Sequence, residues 1–186
     1  MDSDYSPLLA RYLTQLKTAA DEGPVLDLAC GRGRNGLFLL ENDIDVVFAD
    51  NDPAALTQVQ AKLATPQYRG REHLATFWAV DFEQSKTNPL IDHKFAGIIV
   101  YRYLHRPLFK HIKQAVNPGG LVIYETFTVD QPKFGRPHNP DFLLQHGELP
   151  GYFSDWSLLH SFEGVVTAGG AETPQAIAQV VARRPR

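Results

Sequence analysis

Val25-Leu26-Asp27-Leu28-Ala29-Cys30-Gly31-Arg32-Gly33-Arg34-Asn35-Gly36-Leu37-Phe38-Leu39-Leu40 is the stretch on which the reading of this chain turns. It opens with an apolar run and reaches an acid, Asp27. A turn broken by glycines follows, and apolar residues then return at helical spacing. The pattern predicts a strand, a tight loop and a helix. Glycines in such a loop let the backbone pass close to a ligand and open the helix N-terminus toward it.

Two cofactor classes use this arrangement. Gly31, Gly33 and Gly36 satisfy the dinucleotide pattern G-x-G-x-x-G, and Asp50 ends the next apolar run. A nicotinamide-dependent oxidoreductase is therefore one reading. Two features oppose it. Asp27 ends the strand just before the turn, where a carboxylate serves a pyrophosphate poorly. The last part of the chain also lacks the pattern of a second mononucleotide-binding half.

Asp27-Leu28-Ala29-Cys30-Gly31-Arg32-Gly33 resembles the first motif of class I S-adenosylmethionine (SAM) dependent methyltransferases, with Ala29 where many members carry glycine. The fuller run to Leu40, with Cys30-Gly31 and Arg34-Asn35, is most similar to the tellurite-resistance, TehB-like branch. The resemblance implies an α/β fold: a Rossmann-like three-layer α/β/α sandwich with a seven-stranded, mostly parallel sheet ending in an antiparallel hairpin. It implies SAM as cofactor and S-adenosylhomocysteine as product. It implies that Asp27, Gly31 and Gly33 hold the methionine end of SAM. Asn35 and Asn51, in the adjoining turns, join them as candidate cofactor residues.

The segments on either side agree with that fold. Within residues 1–23, Leu8, Leu9, Tyr12, Leu13 and Leu16 recur at spacings of three and four. They predict one helix over 5–20, closed near Gly23-Pro24. Ile44 to Ala49 reads as the second strand, followed by Asp50-Asn51-Asp52 and a helix opened by Pro53. A carboxylate at that strand end can accept from both hydroxyls of a ribose, which makes Asp50 the ribose candidate. Asp52 reads as the helix cap. Leu74 to Val80 is a third strand ending in Asp81-Phe82. By resemblance, Asp81 meets the adenine amino group and Phe82 contacts the ring.

Phe95 to Val100 is a near-continuous apolar run, as a central parallel strand requires. It leads into Tyr101-Arg102-Tyr103-Leu104-His105-Arg106. By resemblance Tyr101 contacts the cofactor. A helix over 108–116 is stopped by Asn117-Pro118-Gly119-Gly120, and a strand follows into Glu125-Thr126-Phe127. Tyr101, Tyr103, His105, Glu125 and Arg136 are the expected lining of an acceptor pocket. Tyr103, His105, Glu125 and Arg136 are the catalytic candidates. His105 or Glu125 serves as base if the acceptor is an amine or hydroxyl; alternatively Glu125 pairs with a nearby arginine. Residues 129–141, with three prolines and one glycine, form a candidate lid loop. Broken helix covers 142–153. Trp156 to Phe162 and Ala176 to Ala182 read as a final hairpin, separated by Gly164, Gly169-Gly170 and Pro174, with a disordered basic tail from Arg183.

Composition bounds the remaining choices. The chain has 186 residues, enough for one domain (1–186) with a substantial core. A net charge of −3 gives no global basic field for nucleic acid. The chain also lacks an inserted recognition domain and the Asn/Asp-Pro-Pro-aromatic signature of base or glutamine methylation. A small-molecule acceptor (a thiol, a chalcogen oxyanion or another) is expected, in a monomer or homodimer. The single cysteine, Cys30, allows no internal disulfide. No apolar run is long enough for a membrane span, and the acidic N-terminus lacks a signal-peptide core, so a cytoplasmic protein is expected. The histidines are too scattered for a zinc site, and no metal is expected. A non-catalytic SAM-binding regulator stands as the alternative to an enzyme.

Overall fold

Val25–Leu28 forms β1, and all four of its residues are buried. In the computed structural model, which describes residues 5–84, 88–167 and 173–186, β1 lies between β2 (Val46–Asp50) and β4 (Phe95–Tyr101). It runs parallel to both. A strand covered on both faces must be apolar on both, which is why these runs do not alternate. β3 (Ala75–Ala79) extends the sheet beyond β2, and β5 (Val116–Phe127) extends it beyond β4, again in parallel. β7 (Gln175–Arg183) then runs antiparallel between β5 and β6 (Ser157–Val166). The seven-stranded order is β3-β2-β1-β4-β5-β7-β6.

Helices cover both faces. On one face α1 (Pro7–Arg11), α2 (Leu13–Ala20), α3 (Arg34–Glu41) and α4 (Pro53–Leu63) bury Leu9, Leu16, Leu39 and Val59 against Phe48 and Ile123. On the other, α5 (Phe109–Ala115) and α6 (Glu148–Tyr152) pack Phe109, Ile112 and Leu149 with Phe153 on Ile98, Val122 and Tyr124. This is the three-layer α/β/α sandwich expected from the sequence, including its antiparallel ending.

Some boundaries differ, each for a long-range reason. The expected helix over 5–20 is two helices. Tyr12 leaves the helical region at φ −107°, and its hydroxyl donates to the Leu159 carbonyl at 3.0 Å. Asn117 to Gly120 does not stand apart as a turn. It is the irregular start of β5, with the β4–β5 register shifting between Phe95 and Gly97. The basic tail is not loose: Gly119 N–H donates to the Arg184 carbonyl, and Arg184 N–H donates to the Gly120 carbonyl. Arg184 also reaches the Val116 carbonyl through its guanidinium. The Gly169-Gly170 separator lies outside the described residues.

Residues 129–141 hold one short 3-10 turn, Gln131–Lys133, and run into a second, Pro140–Phe142. Gln131 is buried and pins the segment to the sheet. Its amide donates to the Arg136 carbonyl, and its carbonyl oxygen accepts from Ala176 N–H. Arg106 ties the far end down. It holds Glu148 through two bonds of 2.7 and 2.9 Å and donates to the carbonyls of Asp141 and Leu143.

Candidate cofactor site at the strand carboxyl ends

The turn after β1 is built around two carboxylates. Asp27 is 3% exposed, and its Oδ2 accepts from Gly36 N–H at 2.9 Å. Asp50 is the last residue of β2. Its Oδ2 accepts from Gly31 N–H at 2.8 Å, and its Oδ1 accepts from Asp52 N–H at 2.9 Å. Asp52 in turn caps α4 by accepting from Ala54 N–H. Each Asp50 oxygen therefore keeps a lone pair, and the carboxylate is oriented before any ligand arrives. Gly33 caps α3 with φ +70°, a left-handed backbone that glycine adopts without strain.

Asn35 sits at the start of α3, where its Oδ1 accepts from Ser6 N–H at 2.9 Å. This draws the N-terminal segment over the glycine turn. Asn35 thus has a structural bond across the site, a role the sequence does not reveal.

Desolvation dominates at Asp27. Burial pushes its carboxyl up to about 7, against the Gly36 amide and the Arg34 charge, which pull it down. An acid with a raised folded pKa binds its proton more tightly when folded. Stability then falls as pH rises from the ordinary 3.8 toward 7, and is level above that. We expect the ligand-free protein to lose stability across this window, by on the order of 4 kcal/mol at most. Asp27→Asn removes that part of the pH dependence. Thermal midpoints of the two proteins from pH 4 to 8 measure the difference, and parallel curves would refute the assignment.

A cavity of about 210 Å³ opens beside these groups, lined by Ala29, Asp50, Asn51, Val80, Asp81, Phe82, Glu83 and Tyr103. The structure thus brings together four of the expected residues, Asp50, Asn51, Asp81 and Phe82. Tyr103 lines the same cavity. Asp81 follows β3, and its Oδ1 accepts from Glu83 N–H, which leaves its other oxygen open. Glu83 went unnoticed in the sequence, because two residues past a strand end nothing distinguishes a ligand from a solvated charge.

The other expected residues separate. Tyr101 ends β4 on the opposite face of the sheet, with the Arg34 guanidinium 5.9 Å from its ring centroid. Burial pushes the Tyr101 phenol well above its ordinary range, and Ser6 beside it tempers the rise. Neither the Tyr101 nor the Ser6 hydroxyl completes a hydrogen bond of full geometry. Glu125 is not a free base. Its Oε1 pairs with Arg102 Nη2 at 3.1 Å, and its Oε2 accepts from Gln179 Nε2 at 2.6 Å. The arginine pairing that the sequence left open is the arrangement found. Arg102 has φ +59° and stands 4.4 Å from the Phe127 ring centroid. His105 lines a neighbouring hollow of about 190 Å³ with Phe82, Glu83, Lys110 and His111. Arg136 is exposed. Among the described residues, no three His, Cys, Asp or Glu side chains stand where they could hold a metal. No helix among them is long and apolar enough to cross a membrane.

A larger hollow, about 760 Å³, lies at the other end of the sheet among Gln15, Glu22, Asn117 and Arg186. Ligands of open α/β sheets bind outside the strand carboxyl ends, and this hollow faces the amino ends.

The strand order, the glycine turn after β1 and the acid closing β2 define a Rossmann-like methyltransferase fold. The glycopeptide N-methyltransferase MtfA complexed with SAM superposes with a TM-score of 0.65 at 16% identity, covering 99% of this chain and 95% of that one. TehB from Haemophilus influenzae superposes with a TM-score of 0.69 at 22% identity, covering 92% of this chain and 61% of that one. The chain belongs to the family described as tellurite resistance protein TehB, whose model matches residues 12–170. Among curated relatives, "Hemagglutinin 1" of Eikenella corrodens is 32% identical over 146 residues, which cover 75% of this chain and 46% of that protein. The "Probable S-adenosyl-L-methionine-dependent methyltransferase TehB" of Haemophilus influenzae Rd is 27% identical over 148 residues, covering 76% and 48%. The chain spans about half the length of these curated relatives.

Proposed function

We propose that this chain binds SAM at the carboxyl ends of β1 to β4 and transfers its methyl group to a small-molecule acceptor. The observation that carries the reading is the Asp50 carboxylate. It is held by two backbone amides at the rim of the 210 Å³ cavity and retains a lone pair on each oxygen. A pair of vicinal hydroxyls fits that carboxylate. An aromatic base with an exocyclic amine fits the far wall, where Phe82 supplies an apolar surface and Asp81 an open oxygen. Asp27, Gly31, Gly33 and Asn35 then serve the amino-acid end.

When bound, SAM supplies an electrophilic methyl on a sulfonium. The charge on sulfur vanishes during transfer, so a site that excludes water favours the reaction. This chain's residues contribute orientation and dryness more than bond-making groups. Tyr101, on the face where Ser6 crosses the glycine turn, is the residue we assign to the acceptor side. His105 is the base we assign to an acceptor that must lose a proton, since both oxygens of Glu125 are already engaged.

The test is calorimetric titration of purified protein with SAM and S-adenosylhomocysteine, followed by an acceptor screen with thiols, selenite and tellurite. Micromolar binding with turnover supports the proposal. Binding without turnover on any acceptor supports a regulator instead. Absence of binding to either compound rejects the reading.

A further inference from the structure

We propose that Tyr103 reads the base of the cofactor: its phenolic oxygen accepts a hydrogen bond from the 6-amino group of adenine, while its own proton is directed to Glu83. The inference rests on the SAM reading above and goes beyond it by assigning a residue and a chemical preference.

Three observations meet at Tyr103. Its side chain lines the same 210 Å³ cavity as Asp50, Asp81 and Phe82. Its hydroxyl is buried and completes no hydrogen bond of full geometry. Its proton can turn to Glu83 on the same wall, but its buried oxygen has no donor, and an unsatisfied polar atom at a cavity wall points to a donor supplied from the cavity. Its backbone is held as well, because the Tyr124 hydroxyl donates to the Tyr103 carbonyl at 2.9 Å. The side chain therefore leaves a fixed point in a fixed direction.

The proton's position follows from the neighbours. After burial, the Glu83 carboxylate is the largest influence raising the Tyr103 phenol, followed by Asp81 and Asp50. With three carboxylates nearby, the phenol keeps its proton, and Glu83, on the same cavity wall, is the carboxylate we assign to receive its hydrogen bond. A phenol that donates to Glu83 presents lone pairs to the cavity. It then needs a donor from the ligand. Adenine offers one kind of donor on its exposed edge, the 6-amino group. Hypoxanthine, with a carbonyl there, would set oxygen against oxygen. A site that hydrogen-bonds a ligand N–H rejects the analogue lacking it more strongly than an apolar site does.

The measurement is calorimetric titration of wild type, Tyr103→Phe and Glu83→Ala with two probes, S-adenosylhomocysteine and its deaminated counterpart S-inosylhomocysteine. Wild type should favour the adenine compound. Tyr103→Phe should lower affinity for that compound about 5- to 10-fold. It should leave affinity for the inosine compound within about twofold, so the preference narrows. Glu83→Ala should narrow it too, because the phenol is then free to donate to a carbonyl. Ligand-free Tyr103→Phe should stay folded with a midpoint within a few degrees of wild type, since it gives up only the contact with Glu83 on the cavity wall. Equal losses for both probes, or none, would overturn the proposal and leave the SAM reading intact. Failure of wild type to bind S-adenosylhomocysteine would overturn both.

Discussion

Asp50→Ala is expected to weaken binding of S-adenosylhomocysteine about 100-fold or more, with Asp50→Asn in between. The carboxylate faces the cavity with one lone pair free on each oxygen. Two charge-assisted bonds to ribose hydroxyls contribute about 3 kcal/mol or more together, which corresponds to at least two decades in affinity. Asparagine retains one acceptor oxygen and loses the charge. Asp50 also orients Gly31 and Asp52, so the variant loosens the turn as well as the ligand contact. Thermal melting separates the two effects, since a folded variant with a modestly lowered midpoint isolates the binding loss. Affinity within threefold of wild type in a folded Asp50→Ala would show that the ligand does not use this carboxylate.

Gly36→Ala should be among the most damaging glycine substitutions in the described chain. A Cβ at this position would overlap the Phe48 ring and lie 2.8 Å from Asp27 Oδ2. Phe48 cannot retreat, because it is fully buried and stacked on Phe77 with ring centroids 5.5 Å apart. Asp27 cannot retreat either, because its oxygen holds the Gly36 amide. Overpacking of this kind costs about 3 kcal/mol. With a denaturant slope of about 2 kcal/mol/M in urea, the midpoint should fall by about 1.5 M. Gly31→Ala makes the useful contrast. Nothing lies within 4 Å of its Cβ, and only its φ of +51° is unfavourable. It should cost about 1 kcal/mol. Equal midpoints for the two variants would mean that crowding is not the reason for glycine at position 36.

The turn and the strand ends of the candidate site were legible because they are local. Asp27, the three glycines, Asp50 and Asp81-Phe82 each sit beside a strand end that periodicity locates, and a parallel sheet brings such ends together. The partners of the other candidates were not, because contacts between distant segments decide them. Glu125 is engaged by Gln179 from β7 and by Arg102 beyond β4, and no local pattern announces either. Tyr103 and His105 are two residues apart, yet one lines the cavity beside Asp50 and the other a neighbouring hollow. The helix break at Tyr12 depends on Leu159, and the pinning of residues 129–141 depends on Ala176. Each joins residues far apart in sequence, invisible to a window of ten or twenty residues.

The position of β7 has a consequence for how the molecule is made. It is the last strand in sequence yet occupies an interior place, with β5 on one side and β6 on the other. On the ribosome, β5 emerges with its outer edge unpaired and stays so until residues 175–183 leave the exit tunnel. β6 meanwhile has no partner in the sheet at all. The nascent chain thus carries two adhesive edges for the whole time needed to synthesise the segment between them. Both edges are closed at once, and only by the arrival of a nine-residue strand.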